Sequence, residues 1–291
     1  MSEQDLEGLL KNRIEKTDDS FQNIELYRKI SERLNKIVSY FNTIEGYGLE
    51  NIDLIRDKPA IIAPNHVGSS KDVIPLARLF LEKEIQLFYG ARSEMFDKEA
   101  FYTMVRKHLK KHLREFSSLV RNSHIRRFAA FTESTLPKIG TIPLDVNGGS
   151  NREALRIMEQ YLGEYKRKLV LFQIKKKSKN DSEEESEKNV KTYFFHGAKP
   201  GAAVLASRVY NNYGIDIPVV PVGIYGSRGL IPLDYMMTRL ARKPIQIKIG
   251  APIYITSFLD QENPVGAMTQ ALEINIWGLL KDLVRKQREH D

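Results

Sequence analysis

His66 and Asp72 stand six positions apart in the stretch Pro-Ala-Ile-Ile-Ala-Pro-Asn-His-Val-Gly-Ser-Ser-Lys-Asp, residues 59 to 72, and no other pair in the sequence is as well suited to proton transfer. Imidazole titrates near neutrality and can take a proton from a weakly acidic hydroxyl, while a neighbouring carboxylate fixes its tautomer. The elements that must hold such a pair are legible around it. Ala60 to Ala63 is an apolar run that reads as a short buried strand and stops at Pro64. Gly68-Ser69-Ser70 reads as a turn, and from Val73 to Phe80 the pattern takes up a helical rhythm. The strand end fixes the histidine, and the helix start offers unpaired N–H groups and a positive dipole to an anionic group.

The chain has 291 residues, 42% of them hydrophobic, enough for one large domain or two small ones with a substantial core. It has no cysteine, which excludes disulfides, thiolate zinc sites and a cysteinyl acyl-enzyme. The net charge of +8 favours anionic partners: lipid head groups, phosphorylated substrates, coenzyme A or nucleic acid. No run of 18 apolar residues is present, and no basic, apolar leader precedes a small-residue cleavage site. The expectation is therefore a cytoplasmic chain without a membrane span or signal peptide, peripheral at the inner membrane face.

Leu26, Ile30, Leu34, Ile37, Val38 and Phe41 recur at helical spacing and predict an amphipathic helix over 21 to 44. Residues 1 to 45 form an N-terminal helical extension in this reading, and 46 to 291 an α/β domain. Within it, 85 to 89 reads as a strand, and 97 to 131 as a mainly helical, strongly basic stretch suited to an anionic membrane surface. The pattern continues with a strand and glycine turn at 140 to 149 and a helix over 152 to 165, capped by Ser150 or Asn151. A buried strand over 169 to 174 runs into a charged low-complexity insert at 175 to 191, expected to be a loop. A small-residue helix starts at Gly201, a core strand runs over 217 to 225, and Ile245 to Ile249 alternates like an edge strand. A last helix spans about 264 to 288. Strands and helices alternate, so the fold class is α/β with a largely parallel sheet flanked by helices.

Several short motifs come in a telling order: Asn65-His66 with Asp72, Gly140 to Asp145, Phe172, Gly201-Ala202-Ala203 with Leu205-Ala206, and Ile217-Pro218-Val219-Val220-Pro221-Val222. From about residue 37 to 256 this order resembles the glycerolipid acyltransferase superfamily, which includes the glycerol-3-phosphate and lysophosphatidic acid acyltransferases. The resemblance implies the fold of those enzymes. It also implies transfer of a fatty acyl group from acyl-CoA or acyl carrier protein to a hydroxyl of a glycerol phosphate or lysophospholipid. His66 is then the base and Asp72 its orienter. Asn65, Ser69 and Ser70 would line the substrate site. Lys177, Arg152 and Lys199 would hold the acceptor phosphate, and no resident cofactor is implied.

The sequence departs from the family pattern in three places. Five residues separate His66 from Asp72 where the family has four, and one extra residue inside a helix would swing a side chain by about 100°. In the turn it would be absorbed. The arginine expected after the acid of the second motif is Val146. The third motif survives only as Phe172 to Ser178, without its Glu and Gly, with Lys177 at the arginine position. That loss supports the alternative of an inactive or repurposed member that binds lipid or acyl chains. His108 and His112 have the four-residue spacing of a helical metal pair, but Lys110 and Lys111 repel a cation and no metal site is expected. A nucleic-acid partner is disfavoured for want of a binding motif in the basic stretch.

Overall fold

The computed structural model describes residues 24–41, 43–66, 70–113, 122–145, 151–173, 197–227 and 244–290. In chain order the strands are β1 (Ile44–Tyr47), β2 (Ala60–Pro64), β3 (Leu87–Arg92), β4 (Ile142–Leu144), β5 (Lys168–Val170), β6 (Val219–Tyr225) and β7 (Ile245–Ile249). The helices are α1 (Ile24–Phe41), α2 (Glu50–Asp53), α3 (Ser70–Leu81), α4 (Lys98–Leu113), α5 (Asn122–Thr135), α6 (Arg152–Gly163), α7 (Gly201–Tyr213) and α8 (Pro264–His290). Two compact units divide the chain, one made of 1–27 with 88–158 and the other of 28–87 with 159–291. The boundary expected at residue 45 falls inside β1.

The larger unit holds the sheet β1-β7-β6-β2-β5, parallel at every pairing except β6 with β7. β2 and β5 are buried at every residue and β6 at all but Tyr225, as continuous apolar runs in a sheet covered on both faces should be. Helix α8 lies on β6 so closely that a Cβ on Gly223 would come within 2.9 Å of Leu279 Cβ. Met268, Leu272, Ile276, Leu280 and Leu283 of α8 are buried and Leu279 is half-buried, an inward stripe at helical spacing. The α/β class and the largely parallel sheet agree with the sequence reading.

One expectation is corrected. Ile245 to Ile249 is an interior strand, flanked by β1 and β6, and the edge is β1. Gln246 and Lys248 gave the edge-like alternation, yet Gln246 Nε2 donates to Glu45 Oε2 at 2.8 Å and Lys248 pairs with Asp282. Polar side chains with partners sit inside a sheet as readily as outside it.

In the smaller unit β3 and β4 pair in parallel, and α4 packs on α5. A Cβ on Gly90 would stand 2.5 Å from Leu144 Cδ1, so a side chain there would have to displace the end of Leu144. The basic stretch read as mainly helical is two helices, α4 and α5. Among the described residues no helix is long and apolar enough to cross a membrane.

Candidate active site

The backbone ladder between β2 and β6 explains why an asparagine precedes the histidine. Ile61 N–H donates to Pro218 O and Asn65 N–H to Val222 O, the alternate-residue spacing of a parallel pair. One step further, Ile224 N–H and C=O should meet the peptide groups that follow Asn65. The Asn65 side chain takes both instead: its Oδ1 accepts from Ile224 N at 2.6 Å and its Nδ2 donates to Ile224 O at 3.0 Å. The amide stands in for a peptide unit, so the ladder ends satisfied while the main chain is free to leave the sheet at His66. Asn65 is completely buried, and its amide serves the scaffold here.

On the opposite edge of β2, Gln173 N–H donates to Pro64 O at 2.7 Å. That register carries Phe172 to the histidine, where the two rings lie 4.7 Å apart at 47°. Gln173 is buried and its Oε1 accepts from the Lys199 N–H at 3.1 Å, fixing the backbone two residues before α7. Phe172 and Gln173 were visible in the sequence only as remnants of the third motif. Their place at the end of a parallel strand adjoining β2 is the signal that links them to His66.

His66 Nδ1 lies 2.7 Å from Asp72 Oδ2. The contact is bent rather than collinear, since Nδ1 and Oδ2 are close without meeting the angle of a straight N–H···O bond. Asp72 is fully buried, while the His66 side chain is 28% exposed. Nδ1 itself is shielded from solvent, so the open part of the ring is its remainder, which includes Nε2. A carboxylate charge beside Nδ1 favours the proton on that nitrogen and leaves the Nε2 lone pair for a general base. Asp72 is the third residue of α3, where the helix dipole favours its charge.

The β-bridge of Asn65 with Gln173 ends the strand side and α3 begins at Ser70, so Asp72 stands in the first turn of that helix. Pro75 inside α3 has no N–H for the Lys71 carbonyl, which leaves the first turns less tightly bonded than an ordinary helix.

The other candidates are scattered. Ser70 opens α3, and Ser69 and Lys177 lie outside the described residues. The exposed Lys199 side chain belongs to the same unit as His66. Arg152 opens α6, exposed, in the smaller unit. Asn151 occupies the expected cap position of α6, yet its amide turns back to clamp Asp145, Oδ1 to N and Nδ2 to O, both at 2.8 Å.

The larger unit is thus an α/β scaffold that holds a solvent-reachable histidine against a buried carboxylate beyond the end of a central parallel strand. No protein-family model matches the sequence, and no curated protein does. Among solved structures it is similar to the 1-acyl-sn-glycerophosphate (LPA) acyltransferase PlsC from Thermotoga maritima. The identity is 13%, the TM-score is 0.42, and the match covers 90% of this chain and 87% of that one.

Proposed function

We propose that this protein is a glycerolipid O-acyltransferase. His66 Nε2 takes the proton of an acceptor hydroxyl, and the oxygen attacks the carbonyl carbon of an acyl thioester. The C–S bond then breaks, the thiolate leaving group recovers the proton, and an ester and a free thiol are released. Asp72 holds the ring and stabilises the imidazolium while it exists. Backbone N–H groups at the start of α3 would supply donors for the transient oxyanion. Acyl-CoA or acyl carrier protein is the donor in this reading, and a glycerol phosphate or lysophospholipid the acceptor. Lys199, whose backbone N–H is held by Gln173, would meet the acceptor phosphate in this reading.

The observation that carries the reading is the 2.7 Å contact between a buried carboxylate and a partly open histidine. Its test is transfer of radiolabelled palmitate from acyl-CoA and from acyl carrier protein to a panel of glycerol phosphate and lysophospholipids. His66→Ala should lower turnover by about 10²–10⁴-fold. Wild-type turnover in that variant would refute the mechanism. Lipid binding by folded protein without transfer from either donor would favour the binding-only alternative.

A further inference from the structure

We propose that the outer face of α5 is a docking surface for an anionic lipid bilayer. This inference goes beyond the catalytic reading and does not depend on it. Ile125, Ala129 and Thr132 form the buried stripe of α5. His124, Arg127, Phe128 and Phe131, spaced i, i+3, i+4 and i+7, form a stripe exposed along its whole length. Phe128 is 49% exposed and Phe131 43%, two large aromatic rings turned outward within one helical turn. Phe128 is anchored on one side by the buried Phe101, with ring centroids 5.7 Å apart. Arg126, on the flank of this stripe, lies over the Tyr102 ring at 4.9 Å.

The charge around these rings selects the occupant. Among the described side chains between 98 and 135, Lys98, Arg106, Lys107, Arg126 and Arg127 stand against Glu99 and Glu133. The acids there are partly engaged: Glu133 accepts from the Lys98 N–H at the start of α4, and Glu99 faces Arg126 at 4.0 Å. A second copy of the chain would bring the same positive surface against itself. A double-stranded nucleic acid would take the arginines on its phosphates and leave the two exposed phenylalanine rings in water. An anionic bilayer satisfies both halves of the surface, since its head groups attract the arginines while its acyl boundary accepts the phenylalanines.

The test uses the full-length chain and vesicles of phosphatidylcholine with and without phosphatidylglycerol. With Phe131→Trp, emission should shift to the blue and be quenched by brominated acyl chains only when phosphatidylglycerol is present. Each of Arg126→Gln and Arg127→Gln should weaken partitioning about fivefold, and Phe131→Ser about tenfold. Phe131 faces solvent, so circular dichroism melting of Phe131→Ser should match the unaltered protein. Unchanged partitioning in a Phe131→Ser, Arg127→Gln double variant, or a silent Phe131→Trp, would overturn the proposal. So would a dimer that dissociates on Phe131→Ser, or loss of single-stranded oligonucleotide binding in that variant with vesicle binding intact.

Discussion

Replacing Asn65 by alanine tests the idea that a side-chain amide closes the β2–β6 ladder. The substitution removes the acceptor of Ile224 N–H and the donor to Ile224 O, at 2.6 and 3.0 Å. Ile224 is fully buried, so water cannot replace either bond. A buried backbone group left without a partner costs about 1–3 kcal/mol, and two of them, with some relaxation of the strand end, amount to roughly 2–5 kcal/mol. Urea denaturation of the two proteins should show this as a lower midpoint with an unchanged slope. Asn65→Asp should restore little, because a carboxylate accepts from Ile224 N–H but faces the Ile224 carbonyl without a proton to donate. A loss below about 1 kcal/mol for Asn65→Ala would mean that the ladder closes without the amide, and the account of how His66 leaves the sheet would fall.

Four further outcomes follow from the same structure. Asp72→Asn preserves volume but removes the carboxylate from His66, so turnover in acyl transfer should fall about a hundredfold or more while KM changes little; equal turnover would separate the pair from catalysis. Gly48 has φ +67, and a Cβ there would lie 2.2 Å from Ile249 O, so Gly48→Ala should cost about 2 kcal/mol or more by denaturant titration. Gly278→Ala in α8 meets nothing within 4 Å and should instead stabilise by about 0.5–1 kcal/mol. Burial of Lys168 lowers its pKa below the ordinary 10.5. The unfolded chain then binds this proton more tightly, so stability rises with pH between the depressed value and 10.5 and is lost again as pH falls. Lys168→Met should remove that rise, read as the difference between the two proteins' stability curves; parallel curves would contradict it.

The strand and helix flanking His66 were legible because each is written in neighbouring residues: an apolar run, a proline stop, then a helical period. The histidine–aspartate pairing was legible too, though its spacing differed from the pattern it resembles. The structure brings the two together all the same, with Nδ1 of His66 2.7 Å from Oδ2 of Asp72. What was not legible depends on partners far along the chain. Asn65 reads as a substrate ligand beside a catalytic histidine until Ile224, 159 residues away, is seen to occupy both ends of its amide. Gln246 and Lys248 read as an exposed edge until Glu45 and Asp282 are found beside them.

Asn151 also spends its amide on a backbone, accepting from Asp145 N–H and donating to Asp145 O, but it stands at the start of α6. At Asn65 the chain leaves a strand and the side-chain amide supplies the donor and acceptor that the departing backbone withdraws. An asparagine at the end of an apolar strand therefore has a physical role before any substrate is considered. In this protein that role sets the position of the next residue, His66. The geometry of the candidate site thus begins one residue upstream of its chemistry, in a hydrogen-bonding requirement that no local sequence pattern encodes.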